Sequence, residues 1–466
     1  MLQYFRINDP YRLLGLLVIM IVISLPLFLD TPSMTYPELK SILVGEKVHT
    51  GSSLYSEVID STAPLAGWFD ALFEMIFGRS LTARHILAFF ILFTQATYLG
   101  IIFINKKAFA ESTFIPSVIF ALLFFFSFDT LSLNAELLGS GFLLLALHNL
   151  FRQIEFREQG DPSIFNLGFY IALATLFSFS FIVYLLGAIV ILMAFTRSAV
   201  RSYLLMIFGF LLPHLLMISI YYLKDGLPAL WDYYYLPNLS FRRDIFIGAK
   251  SLFVLGAVPL VFLVVSIVML NRDARFTKYQ SQLVQTMFFW MIFSFLQIFY
   301  SKDLRPQSLI TLIPAFSFYI SHFLLLIRRR KFAEISIWVL LVSVVGIAYL
   351  ARYNKIGAVN YEYLLVPDNK SANAVNDKRV LMLGDDFSIY KHNNLGSGFL
   401  NWRLSREIFE QPDYYENVIL INNSITNDPP QVIIDPSNLM PYVFERSPTL
   451  KAKYTLSGNG LYTLKN

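Results

Sequence analysis

Two carboxylates three positions apart, Glu57 and Asp60, stand in residues 51–68 (GSSLYSEVIDSTAPLAGW), between apolar runs at 13–29 and 86–104. Acids this close to hydrocarbon are costly unless they are solvated, paired or used. On a helical turn, a spacing of three puts both on one face. A carboxylate so placed is suited to take the proton of a hydroxyl or amine as a new bond forms to it. A second acid beside it orients the first or shares a divalent cation with it. The same pair also fits a plain solvated loop, so its surroundings have to discriminate.

Those surroundings are mostly membrane. Of 466 residues, 56% are hydrophobic and 45 are Phe. Apolar runs near 13–29, 86–104, 114–128, 135–151, 166–178, 180–195, 202–222, 251–270, 282–299, 307–327 and 333–350 make eleven candidate spans, judged against the roughly 20 residues that cross a bilayer. The stretch 166–195 is long for one span and short for two, with Ser178 and Ser180 near its middle. Basic residues arbitrate. Lys106/Lys107, Arg152/Arg157, Arg197/Arg201, Arg272/Arg275/Lys278 and residues 328–331 share one side only if 166–195 crosses twice. The positive-inside rule makes that side cytoplasmic, together with the amino terminus. The first loop (30–85), the turn at Asp129, the loop 223–250, the turn 300–306 and everything beyond 350 then face outward. A net charge of +5 gathered in short loops reads as topology rather than nucleic-acid binding. Cysteine is absent, which excludes disulfides and thiolate chemistry. The histidines do not cluster, which argues against zinc.

The elements that must position the acids are short. Residues 37–44 (PELKSILV) suit an interfacial helix, and 64–77 (PLAGWFDALFEMIF) a second helix starting on Pro64. Beyond 350 the apolar runs shrink to strand length at 379–383, 417–421 and 431–434, with a helix candidate at 399–410. That alternation suggests a small α/β domain, so the expected division is 1–350 for the membrane part and 351–466 for an outer domain. Gly384-Asp385-Asp386 reads as a strand-end turn without catalysis.

The first loop resembles that of the GT-C glycosyltransferases, a group that includes the protein O-mannosyltransferases and the lipid A aminoarabinose transferases. The resemblance rests on Gly51, Tyr55-Ser56-Glu57, Asp60, Pro64-Leu65 and an amphipathic segment ending Phe77-Gly78-Arg79-Ser80 before a span. It implies transfer of a sugar from a polyprenyl-phosphate carrier on the outer face of the membrane, with an acid of this loop as base. Glu57 matches the acid after the aromatic and Asp60 the acid before Pro-Leu, so both are candidates. Asp129 and Glu136, on the turn before the fourth span, are secondary candidates for acceptor or metal contact. Glu136 at a helix start is also favourable on dipole grounds alone. Arg305 and Lys302, before a span containing Pro314, are candidates for the departing phosphate, since a guanidinium offers a planar fork to its oxygens. Snorkelling at the interface is the plainer account of such basic residues. Arg242 and Arg243, after the aromatic run 231–235, are candidates for a further phosphate or sugar contact, although aromatics at an interface more often form a belt.

The expected protein is therefore a polytopic α-helical membrane protein of about eleven helices with a small C-terminal α/β domain. The resemblance implies a bacterial inner-membrane location, with the amino terminus cytoplasmic and the carboxy terminus periplasmic. Its implied partners are a polyprenyl-phosphate-sugar donor, membrane lipids and a glycan, lipid or protein acceptor. A divalent cation is the candidate cofactor. Two other classes fit the same features: a transporter or flippase of lipid-linked glycans, and a non-catalytic assembly subunit that keeps the scaffold.

Overall fold

The computed structural model describes residues 1–155, 160–196, 199–367, 376–458 and 460–465. Arg157 and Arg197, placed above in basic loops, lie outside them. The chain forms two compact units. One comprises Met1–Pro32, Leu81–Met217 and Phe241–Leu364, the other Ser33–Ser80, Ile218–Ser240 and Leu365–Asn466. The first loop thus folds with the carboxy-terminal segment.

The first unit is that of a multi-pass membrane protein. Each of the eleven apolar runs is helical. Eight described helices reach spanning length, from Arg12–Leu29 to Arg330–Arg352, and three shorter apolar helices, Ile115–Phe124, Asp161–Phe177 and Phe179–Phe195, fill the remaining runs. The long run at 166–195 breaks at Ser178, whose backbone is extended (φ −143°, ψ 114°). Burial follows position. Pro306–Leu326 is 83% buried and central, whereas Ala249–Asp273 is 28% buried and turns Val261, Val264 and Val268 outward. Helices satisfy their own backbone groups, so hydrocarbon is an adequate solvent for such faces.

The basic loops of this unit meet at one end of its helices. The terminal amino group pairs with Glu334, Arg6 with Glu111, and Lys106 with Glu155 at 3.1 Å. Gln280 donates to the Lys107 carbonyl and Arg201 pairs with Asp161. At the other end, β1 (Asp244–Ile245) and β2 (Asp303–Leu304) pair in parallel, with Asp244 beside Asp303.

The second unit has two parts. Thr35 opens the helix Tyr36–His49 with a capping box to Glu38, and Pro64 begins the helix Pro64–Phe77. The other part is a five-stranded sheet made of β3 (Arg379–Met382), β4 (Asn394–Leu395), β5 (Val432–Ile434), β6 (Tyr454–Gly458) and β7 (Leu461–Leu464), in the order β4-β3-β5-β7-β6. The first three are parallel, and β6–β7 is an antiparallel hairpin on β5. Residues 417–421, expected as a strand, instead lie in the helix Tyr415–Asn427. A short apolar run does not reveal its own period, and here Ile421 and Ile425, four apart, are the residues that reach the core. The helix expected at 399–410 is Trp402–Glu410.

Helix contact in the membrane unit depends on glycine. A Cβ on Gly168 would lie 1.9 Å from the Met206 carbonyl oxygen, and one on Gly209 would lie 2.3 Å from that of Phe165. Small residues let two backbones approach this closely. Gly168→Val is expected to destabilise the detergent-solubilised protein by about 1–3 kcal/mol or more, because rigid backbone is in the way. Gly346→Ala, with nothing within 4 Å, will be neutral or stabilise by up to about 1 kcal/mol through helix propensity. Thermal unfolding of the two variants checks the contrast.

Candidate functional site

Glu57 and Asp60 do not share a face, because residues 54–58 are not helical. Leu54 and Val58 bridge, the Tyr55 amide donates to the Val58 carbonyl at 2.9 Å, and Tyr55 sits in left-handed backbone at φ +70°. That conformation is uncommon for an aromatic residue and marks stored strain. It is held by the Tyr55 hydroxyl donating to the Thr62 carbonyl at 2.6 Å and by rings stacked on Tyr234 and tilted on Tyr221. Burial, and then the neighbouring tyrosines and Asp60, push the Tyr55 pKa well up, so it is a neutral donor. Past the turn, Ile59 enters the apolar core of the carboxy-terminal sheet beside Phe399, Trp402 and Phe409. Glu57 is left exposed, accepting from the Ser53 amide at 2.6 Å.

Asp60 is fully enclosed, with no exposed surface. Its Oδ1 accepts from Lys40 Nζ at 3.0 Å and from Asn401 Nδ2 at 3.2 Å. Its Oδ2 accepts from the Thr62 amide at 2.9 Å and from the Thr62 hydroxyl. Burial alone would raise the pKa of this carboxyl. The charge of Lys40 and the bonds from Thr62 and Lys40 outweigh it, and the net shift is downward. Asp60 is therefore an ionised carboxylate with no exposed surface. Asn238, from the segment after the aromatic run, donates to the adjacent Ser61 carbonyl at 3.0 Å.

The remaining candidates gather in the membrane unit. Asn134 caps the helix Ala135–Ile154, which places Glu136 in its first turn. Glu136 accepts from Arg305 Nη2 at 2.7 Å, and Asp129 faces Nη1 at 3.8 Å while taking the Gln307 amide at 3.0 Å. Arg305 is 2% exposed, so it does not snorkel. Its Nε and Nη1 have no hydrogen-bond acceptor among the described residues. Burial opposes its charge, Glu136 and Asp129 outweigh that, and its pKa is raised. The β1–β2 pair draws the Arg242–Arg243 segment to this end of the unit. The Asp244 amide donates to the Lys302 carbonyl at 2.7 Å, which makes Arg243 and Lys302 neighbours in register. Lys302 is half-buried and its pKa is lowered by that burial, against Asp303; Arg243 is exposed.

Asp60, Asp129 and Glu136 are each met by an ammonium or guanidinium group, and among the described residues no three His, Cys, Asp or Glu side chains converge. These acids do not fit a divalent cation. Three residues around Asp60 escaped the sequence expectations. Lys40 lay inside the expected helix 37–44, Thr62 is two residues from the acid, and Asn401 is more than three hundred positions away. For Asn401 the one available signal was an Asn at a helix start.

The sequence model of DUF6427, described as a family of unknown function, matches residues 64–357, well over half of the chain. No curated protein matches it. Among solved structures, ArnT from Cupriavidus metallidurans in the apo state aligns at TM-score 0.57 and 12% identity, covering 97% of this chain and 98% of that one. The same protein bound to undecaprenyl phosphate aligns at TM-score 0.54 and 10% identity, covering 93% and 88%. The likeness is one of architecture: the chain has a GT-C-like fold.

Lys40→Met removes the strongest influence holding Asp60 charged, so the pKa of the carboxyl rises. A carboxylate with a depressed folded pKa lends stability above its unfolded value of about 4 and loses it as pH falls through the folded value. The variant should therefore lose that contribution at a higher pH than wild type. Removing one partner of a buried pair costs about 3–5 kcal/mol; with Lys40 about a third exposed, about 1–3 kcal/mol is expected. Unfolding curves in detergent from pH 7 down to 3 measure both effects. Equal acid limbs would show that Lys40 does not set the charge of Asp60.

Proposed function

The chain belongs to the DUF6427 family, and we propose that it is a membrane glycosyltransferase that moves a sugar from a polyprenyl-phosphate carrier to an acceptor at the outer face of the cytoplasmic membrane. The observation that carries this reading is Asp60, an ionised carboxylate enclosed by Lys40, Thr62 and Asn401, in a chain with a GT-C-like fold along nearly all its length. The undecaprenyl phosphate held by ArnT in its liganded structure supports a donor of that chemistry.

In the proposed reaction the acceptor oxygen or nitrogen attacks the anomeric carbon as the bond from that carbon to the phosphate oxygen breaks. The leaving polyprenyl phosphate keeps the bonding electrons, and Asp60 takes the acceptor proton. A base with a depressed pKa serves such a step because the acceptor becomes strongly acidic only once its new bond has formed. One displacement inverts the anomeric centre. Within the membrane unit, Arg305, whose Nε and Nη1 have no acceptor among the described residues, is the candidate for stabilising a departing phosphate, with Lys302 and Arg243 as further candidates. Asp129 and Glu136 hold the Arg305 guanidinium in place. Glu57 is exposed and accepts from the nearby Ser53 amide, so this reading gives it no part in the proton transfer.

The joined basic loops of the membrane unit support an orientation with that end cytoplasmic. The end of that unit carrying β1, β2 and Arg305 then faces the periplasm of a bacterial inner membrane. Acceptors of the glycan, lipid or protein classes all fit.

Asp60→Asn should lower transfer by about 10²–10⁴-fold while leaving expression and folding intact, whereas Glu57→Gln should stay within about twofold of wild type. The assay reconstitutes purified protein with undecaprenyl-phosphate-linked sugars and envelope extract as acceptor, and follows label leaving the lipid. Wild-type transfer by Asp60→Asn removes the base; loss on Glu57→Gln alone reverses the assignment.

A further inference from the structure

We propose that Asn401 is a positioning residue for the Asp60 carboxylate, and that through it the carboxy-terminal sheet takes part in the site. The proposal rests on the reading of Asp60 as the base. Asn401 occupies the N-cap of the helix Trp402–Glu410. There an Asn side chain ordinarily accepts from the first-turn amides, but this one makes no cap bond. It reaches instead to Asp60 Oδ1 at 3.2 Å. Only the Asn401 carbonyl serves the helix, accepting from Leu404 and Ser405.

The backbone under Asn401 is fixed from several directions. The Ile59 amide donates to the Gly398 carbonyl at 2.8 Å, and the Asn401 amide donates to the Ile59 carbonyl at 3.1 Å. Residues 398–401 thus run against residues 57–59 like a paired strand. They run so close that a Cβ on Gly398 would stand 1.6 Å from the Glu57 carbonyl oxygen. Phe399 and Trp402 share a core with Ile59.

The other two donors to Asp60 are of a different kind. Lys40 is a long, partly exposed chain, with 36% of its side-chain surface accessible, and it supplies charge to Oδ1. Thr62 is two residues from Asp60 and moves with it. Of the three, Asn401 alone ties the carboxylate to a packed element far away in sequence. It therefore sets which way Oδ1 faces, and Oδ2 follows. A base held by a single lysine would be charged; a base that is aimed needs the amide as well.

The test uses the full-length protein in detergent and two readouts. Infrared titration of the carboxyl band, assigned with Asp60→Asn, reports the protonation of Asp60. Asn401→Ala should move its midpoint up by about one pH unit, since a donor to the charged form is lost. Asn401→Asp should move it further, by adding a second negative charge. Transfer from undecaprenyl-phosphate-linked sugars should show kcat down roughly 10- to 100-fold with KM within about twofold. If Asn401→Ala does not purify well folded, Asn401→Ser, a good N-cap too short to reach Asp60, carries both measurements. Wild-type midpoint and kcat in these variants, with Asp60→Asn inactive, overturn the role of Asn401 and leave the base in place. Full activity of Asp60→Asn removes the base, and the titration midpoint then decides on Asn401 alone.

Discussion

A carboxylate with no exposed surface stays ionised only while other groups supply what water would have supplied. Four donor contacts do this for Asp60: an ammonium, an amide side chain, a backbone N–H and a hydroxyl. Desolvating a charge is expensive, and partial compensation would leave the acid protonated or the loop unfolded. The surrounding loop is built around meeting that cost. The strained Tyr55 turn, the Thr62 contact and the close approach of Gly398 all serve to bring donors from three stretches of chain onto one group. Chemistry that takes a proton at this position depends on the same balance.

The basic cluster of the membrane unit solves a related problem with the signs reversed. Arg305 is buried among apolar helices, where an unpaired guanidinium would not persist. Glu136 and Asp129 neutralise it from the start of one helix and from the turn before it. Neither acid uses up the fork: Nε and Nη1 are buried without a hydrogen-bond acceptor among the described residues. The β1–β2 pair adds Lys302 and Arg243 to the same end of the unit. Single-residue clues scattered over sixty positions thereby come together at one end of the unit, each cation with an acid close by.

Much of this was legible in the sequence. Apolar runs announce their helices because hydrocarbon tolerates no other backbone arrangement of that length, and the breaks at Ser178 and Pro64 are written in local chemistry. The two acids, the arginine and the paired turn acids were all visible as residue types out of keeping with their surroundings. The failures share a cause. The strand expected at 417–421 is helical because five apolar residues carry no period of their own, and the core chose Ile421 and Ile425. Glu57 and Asp60 parted company because Ile59, between them, is claimed by a core some three hundred and forty residues downstream.

Composition and spacing were enough to establish a helical membrane protein, since hydrophobic length and charge placement are local properties of the chain. Which acid is shielded, which cation meets it and which amide aims it were not local. Lys40, Asn401 and Asp60 converge through packing among residues far apart in sequence. Burial is a property of that packing, and no window of neighbouring residues contains it.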